Sequence, residues 1–221
     1  MQSNRQARKG FSLVELLVVM AVMGMVATLS ITGFNSIVQA HTVSRGVYDV
    51  ASLLELARSQ AIARQTYVWV GFQSVAGSSG QELQMVAFYS VDGTGTNTAS
   101  TNLLPLSKVL RVKNVSLVEW NSLKESTRNL VAGQNPSSVA TNVDGIPLSA
   151  GPIQFKARTT VTFTPRGESM LKGAAGITDG YNTWIDVSFR QAYGNSIRPN
   201  ADDGAVLVNG ATGAVRPVIL R

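Results

Sequence analysis

Nineteen consecutive residues, Leu16–Phe34, carry no charge, and one carboxylate, Glu15, stands directly before them. As an α-helix such a run extends about 29 Å, which matches a bilayer hydrocarbon core of roughly 30 Å. An ionised carboxylate near the centre of that core costs roughly 2.5–3.5 kcal/mol. A segment that only had to cross lipid would not carry one. Arg5, Arg8 and Lys9 precede the run and no acid does, so the basic leader predicts a cytoplasmic N-terminus and an exported C-terminal part.

The chain has 221 residues and a formal charge of +6. Without residues 1–10 the charge falls to +3, because Arg5, Arg8 and Lys9 leave with them. The basic balance therefore reads as a mildly basic soluble face and is weak evidence for a nucleic-acid partner. There is no cysteine, which excludes disulfides, thiolate nucleophiles and cysteine-based zinc or iron–sulfur sites. A single histidine, His41, excludes a His-pair metal site; it reads as an interfacial polar residue rather than a pH switch. "GSSGQ" at 77–81 is not a nucleophile elbow, and "GTGTN" at 93–97 lacks the third glycine of a dinucleotide loop. No Walker A loop, H-E-x-x-H or EF-hand loop is present. The reading is therefore of a non-enzyme with no catalytic residues, no cofactor and no metal.

Three explanations cover the first 35 residues. A secretory signal peptide has a basic n-region and an apolar h-region, but Glu15 interrupts the start of the latter. The apolar pattern also runs past Ala27 with no sharp small-residue cleavage site. A plain single-pass anchor fits the length and leaves Glu15 unexplained. The third reading uses every residue: "KGFSLVELLVVMAVMG" at 9–24 resembles the prepilin signature of type IV pilins and type II secretion pseudopilins. The match is a basic residue and glycine (Lys9, Gly10), then Phe11, a small hydroxyl (Ser12), two aliphatics, Glu15 and a long apolar helix.

The resemblance implies that a membrane prepilin peptidase cuts between Gly10 and Phe11 and methylates the new N-terminal Phe11. The cleaved helix then passes from the membrane into a filament. In such a bundle Glu15 can neutralise the α-amine of a neighbouring Phe11, in an environment where an unpaired charge costs several kcal/mol. That pair sets axial register as a buried polar residue does in a coiled coil. Glu15 is also one turn from its own Phe11, so pairing within the unassembled chain is an alternative. Dipole stabilisation of a first-turn carboxylate acts here too but is too weak to justify the depth. Major pilins usually carry a kinking proline in this helix; this chain has "SITGF" at 30–34, where Gly33 is the flexible position.

From Val43 to Gln65 apolar residues fall at Val47, Val50, Leu54, Ala57 and Ala61, a 3-4-3-4 spacing that predicts a continuing amphipathic helix. Asp49, Ser52, Glu55 and Ser59 form its solvated side, and Gly46 is a soft point costing about 1 kcal/mol against alanine. "LELARSQAIARQTYVWVGF" at 54–72 resembles the helix-to-strand junction of the minor pseudopilin H of type II secretion (GspH) and its pilus relative FimT. Ala57, Arg58, Ser59, Ala61 and Arg64 carry that likeness. Arg58 and Arg64 are candidate subunit contacts, with plain solubility as the alternative.

Beyond the helix the pattern changes to period two between turn signals. Predicted strands are 67–73, 83–91, 108–112, 115–120, 153–155, 159–164, 183–190, 205–209 and 214–220, with turns at Asp92-Gly93, Asp144-Gly145, Gly194-Asn195 and Asn209-Gly210. "TVTFTPRGE" at 160–168 resembles the F-x-P-x-G strand and turn of the same group through Phe163, Pro165 and Gly167, and "VLVNGATGAVRPVIL" its terminal hairpin. Residues 121–152 are rich in Ser, Asn, Pro and Gly and read as a mobile surface insertion. Major pseudopilins bind calcium in a C-terminal loop; Asn200–Gly204 offers clustered oxygens and reads as a solvated turn.

The fold expected is α+β, a pilin-like lollipop with one long N-terminal helix packed on antiparallel β-sheet. The expected segments are a cleaved leader 1–10, a transmembrane and filament-core helix 11–34, its amphipathic continuation 35–66 and a periplasmic β-rich domain 67–221. The resemblance implies a bacterial inner-membrane protein that is single-pass before assembly. Its partners are the prepilin peptidase, other pseudopilins or pilins and the inner-membrane assembly platform, in a type II secretion pseudopilus or a type IV pilus. The alternative is a FimT-like DNA-binding minor pilin, with Arg190, Arg198, Arg216 and Arg221 meeting phosphates; "VRPVIL" ends as a strand and no aromatic interleaving supports a stacking platform.

Overall fold

The computed structural model describes residues 12–77, 80–97, 99, 101–131, 133–141, 148–150, 153–155, 159–171, 183–197 and 199–219, with the backbone alone at 28–41, 141, 148–150, 153–155 and 159. The chain divides into two units, Met1–Ala40 and His41–Arg221. Helix α1 is assigned over Leu13–Arg64.

In the first unit the large apolar side chains from Leu13 to Val26 stand 48–81% exposed around the whole circumference of the helix. A helix apolar on every side belongs inside something else, a protein core or a membrane. Among the described residues no helix is long and apolar enough to cross a membrane. The expected span continues from 28 into side chains outside the described set.

In the second unit the same helix is one-sided. Val43, Val47, Val50, Leu54, Ala57 and Ala61 are buried, as the 3-4 spacing requires. The opposite side is less polar than expected, since Tyr48, Leu56 and Ile62 stand exposed among Ser52, Glu55 and Ser59. Gly46 also has a packing role. A Cβ there would lie 3.1 Å from Phe189 Cε2 and 3.2 Å from Val112 Cγ1, so the missing side chain lets the helix approach the sheet. Gly204 has the same role on the facing strand, where a Cβ would lie 2.7 Å from Val47 Cγ2.

The helix packs on two sheets. The first contains β1 (Val68–Gly77), β2 (Gly80–Ser90), β3 (Leu103–Pro105), β4 (Leu110–Lys113), β9 (Thr159–Phe163) and β10 (Ser169–Leu171), in the order β10-β9-β1-β2-β3, with β4 also on β2. The second contains β5 (Val115–Leu117), β6 (Ser137–Ser138), β11 (Trp184–Tyr193), β12 (Ser196–Ile197), β13 (Asp203–Asn209) and β14 (Val215–Ile219). Its order is β12-β11-β13-β14, with β5 and β6 on β11. Strands β7 (Leu148–Ala150) and β8 (Ile153–Phe155) form a separate pair. Pairing is antiparallel except for β6 on β11.

Alternation places Val68, Val70 and Phe72 of β1, Ile185, Val187 and Phe189 of β11, and Val206 and Val208 of β13 in one core with the helix. The odd residue Trp69 points the other way, into a small cluster with Val86, Phe88 and Leu103. Strand β2 starts earlier than predicted because Gly77 pairs with Gly80 to close the hairpin. Strand β5 ends at Leu117, and Trp120 opens a 3-10 turn instead of extending the strand. Strands β3, β6, β7, β10 and β12 are two or three residues each, too short for a periodic signal.

The expectation for 121–152 is corrected over its described part. Trp120, Leu123 and Val131 bury against Ala205, Leu207 and Val218 on the outer face of the second sheet. The short helix α2 (Glu125–Arg128) sits in this cover, with Thr127 fully buried. The segment is a lid on the sheet, with its own small core. Residues 142–147 and 151–152, and with them the expected Asp144-Gly145 turn, lie outside the described residues.

Candidate functional site

Three places in the molecule carry the residues singled out by sequence. The first is the start of α1. Ser12 Oγ accepts a hydrogen bond from the Val14 N–H at 3.3 Å, and the Ser12 N–H donates to Glu15 Oε2 at 3.4 Å. Ser12 thus caps the helix through its second N–H, and Glu15 reaches back to the Ser12 N–H as the acid of an S-x-x-E capping box does. It was legible as Ser12 followed three residues later by Glu15, a signal separate from the amine pairing and the helix dipole. Gly10 and Phe11 lie outside the described residues.

The second place is a corner where three segments meet. Arg58 on α1 lies against the turn after β9 and the turn between β13 and β14. Gly167 has φ +85° and Gly213 φ +63°, backbone conformations that favour glycine. A Cβ on Gly213 would fall 2.0 Å from Gly167 O and 3.1 Å from both Cδ and Nε of Arg58. A Cβ on Gly167 would fall 2.8 Å from Ile62 Cδ1. The turns are tied together by the Ser169 N–H donating to Gly210 O at 2.7 Å and by Ser169 Oγ donating to Asn209 O at 3.1 Å. Arg58 Nε is shut from solvent without a hydrogen-bond partner. Beside it runs a groove of about 500 Å³ lined by Glu55, Arg58, Ser59, Ile62, Ala214 and Val215. Arg64, two turns on, is placed differently: it is exposed, donates to Gln60 Oε1 at 2.9 Å and lies 4.5 Å from the Tyr89 ring centroid.

The third place is the outer face of β11 and β13. Arg190 is 7% exposed. It donates to Ser122 O and pairs with Asp203 Oδ2 at 3.3 Å. Asp203 also accepts from the Lys124 N–H at 2.7 Å and from Thr127 Oγ1 at 2.6 Å. Two expectations are corrected here. Arg190 is enclosed by the 120–131 cover and cannot present its guanidinium to a phosphate. Asp203 belongs to no solvated turn, because its carboxylate is inside the protein and taken up by these donors. Its neighbour Asp202 stands 3.6 Å from Lys124 Nζ. Among the described residues no group of three or more acidic or histidine side chains is placed to hold a metal ion. Arg216 is exposed on β14, while Arg198 and Arg221 lie outside the described residues, as does the side chain of His41.

Asp186, two residues before Ser188 on the same face of β11, was not singled out by sequence. It is fully buried, accepts from Ser188 Oγ at 2.6 Å and Ser138 Oγ at 3.1 Å, and its Oδ1 has no donor. Burial pushes its carboxyl up to about 6, against the hydrogen bonds from the two serines, and nearby Glu119 adds to the rise. The reverse holds in the loop after β2. There Asp92 accepts from Ser90 Oγ, the Thr94 N–H, Asn97 Nδ2 and Asn102 Nδ2, and these bonds, Ser90 foremost, hold its carboxyl below the usual range.

A capped N-terminal helix, apolar apart from Glu15 over Leu13–Val26, ahead of a helix-on-sheet α+β domain defines a pilin-like protein. Residues 5–31 match the family model of the prokaryotic N-terminal methylation motif. Residues 47–190 match that of the type II transport protein GspH. The second match spans more than half of the chain, and the protein belongs to the GspH family of type II transport proteins, structural pseudopilins carrying the N-terminal methylation motif. Neither a curated relative nor a solved structure matches the chain. Arg58, Gly167 and Arg190 fall inside the GspH match and the β13–β14 hairpin beyond it.

Proposed function

We propose that this chain is a minor pseudopilin subunit. Prepilin peptidase cuts it between Gly10 and Phe11 on the cytoplasmic side and methylates Phe11. The helix then leaves the inner membrane to join a short periplasmic filament for type II secretion. The observation that carries this reading is the apolar surface from Leu13 to Val26, exposed on all sides and headed by one carboxylate. At about 25 cal/mol per Å² such surface demands a cover of lipid or neighbouring helices. Glu15 is what distinguishes the two covers. In lipid its charge is a liability; among neighbouring helices it meets the α-amine of a Phe11 and sets the axial step. In the free chain the carboxylate closes its own capping box, so assembly exchanges a local partner for a neighbour's amine.

Intact-mass measurement on the protein from its native membrane tests the reading. The expected species lacks Met1–Gly10 and carries one methyl on Phe11, and replacing Gly10 with a bulky residue leaves the precursor uncut. A mature N-terminus at Ser30 or His41 would mean an ordinary signal peptide.

A further inference from the structure

At the corner Arg58 is enclosed by both glycine turns. Its guanidinium stem is clamped between two positive-φ glycine turns, so its position is set before anything binds. Its Nε has no hydrogen-bond partner and no solvent. The ion pairs among the described residues are Arg45–Asp49, Arg111–Glu82, Lys124–Asp202 and Arg190–Asp203, so neither Arg58 nor Glu55 is paired. The two sit one turn apart on the same groove wall, with Ile62 and Val215 as apolar walls.

We infer that this groove between α1 and the start of β14 is a docking socket for a segment of a neighbouring filament subunit, one that brings a carboxylate to Arg58 beside an apolar side chain. The inference rests on the pseudopilin reading and adds the partner's chemistry. With Nε sealed by the two turns, a carboxylate entering from the groove is met by the two terminal nitrogens of the guanidinium, which can grip it through two parallel bonds. Glu55 in the same groove repels a polyanion and accepts an N–H or ammonium from the same partner segment. That charge pattern fits a peptide and disfavours nucleic acid, whose binding calls for several cations and no acid. A volume of about 500 Å³ accommodates a few side chains. Ile62 and Leu56 continue the apolar exposure along the helix.

The test places a photo-crosslinking residue at Ser59 in the full chain in its native membrane, with a second probe at Val18 as the control for assembly. The Ser59 probe is expected to label another filament subunit at a segment containing Asp or Glu. Arg58→Glu should lower that adduct at least tenfold and Arg58→Lys only partly, and changing the partner's acid to Arg should restore it in the Arg58→Glu chain. Because Arg58 also packs on Gly213, Ala214→Trp supplies an independent variant that fills the groove from an exposed position and leaves Arg58 in place. It should lower the Ser59 adduct with an unchanged melting temperature. If Val18 labels neighbouring subunits while Ser59 labels lipid, nucleic acid or nothing, the socket is wrong and the pseudopilin reading stands. If both probes are silent in processed protein, the assembly reading fails and the socket falls with it.

Discussion

The two units of this protein treat apolar surface and charge in opposite ways. In Met1–Ala40 the described apolar side chains face outward and the carboxylate of Glu15 is exposed. In His41–Arg221 most of the apolar side chains are inside, and so are two carboxylates, Asp186 and Asp203. A carboxylate can be buried only where donors or a cation surround it. Asp203 has Arg190, Thr127 and a backbone N–H; Asp186 has two serines. The second unit supplies partners for both carboxylates from within the chain, although Asp186 Oδ1 is left without a donor. The first has a capping bond and nothing else for Glu15 among the described contacts, and the proposed assembly supplies the neighbour that covers both its apolar surface and its charge.

The largest effect that would break this contrast is at Glu15. Glu15→Leu should insert in the membrane at least as well as wild type and still be cut at Gly10, since only the charge that opposes insertion is lost. Crosslinking to other subunits and secretion should fall by at least about tenfold, a factor corresponding to roughly 1.4 kcal/mol of lost pairing. Glu15→Asp should keep part of both. Full secretion by a processed Glu15→Leu chain would show that the carboxylate has no partner in the filament.

Next in size is a matched pair of truncations on α1. Leu54, fully buried, should lose roughly 2–5 kcal/mol as Leu54→Ala, a fall in melting temperature on the order of 5–15 °C for a domain of this size. Leu17→Ala, at an exposed position, should leave the melting of the His41–Arg221 unit unchanged. Equal effects would erase the distinction between the two stretches of helix.

A smaller, pH-dependent effect is expected at Asp186. Its carboxyl sits at about 6 in the folded protein, above its unfolded value near 4. A raised folded pKa means the stabilising contribution of the protonated acid is full below pH 4 and is lost as pH rises through 6. The difference is roughly 3 kcal/mol. Asp186→Asn should therefore melt close to wild type at pH 4 and above it at pH 8. A wild type whose melting advantage grew from pH 5 to pH 8 relative to that variant would reverse the assignment of Asp186 as a buried acid held near neutrality.

The smallest effect is expected at the helix surface. Arg45 and Asp49 form an exposed i, i+4 pair at 3.7 Å. Arg45→Ala should change stability by less than about 0.5 kcal/mol, which denaturant titration can bound. A larger loss would mean that this face of α1 is not solvated.

Local rules carried the sequence reading a long way. A 19-residue uncharged run, a glycine before Phe11 and a carboxylate at a fixed offset needed no fold to be recognised. The buried face of the second helical stretch followed from spacing, because the helical period acts over one or two turns. Tertiary structure alone decided the rest. Whether Arg190 is a surface cation or an interior one depends on Ser122, 68 residues away, and on Asp203 across a strand pair. Composition made 121–152 look like a loose insertion, because Trp120, Leu123 and Val131 are too sparse for any periodicity. Only the face of β13 that receives them shows that they close a core. The corner at Arg58 was present in the sequence as three separate likenesses, Ala57-Arg58-Ser59, Phe163-x-Pro165-x-Gly167 and the terminal hairpin. That they touch is a matter of chain path, since a Cβ at Gly213 collides with Gly167 and Arg58 only once helix, turn and hairpin are brought together.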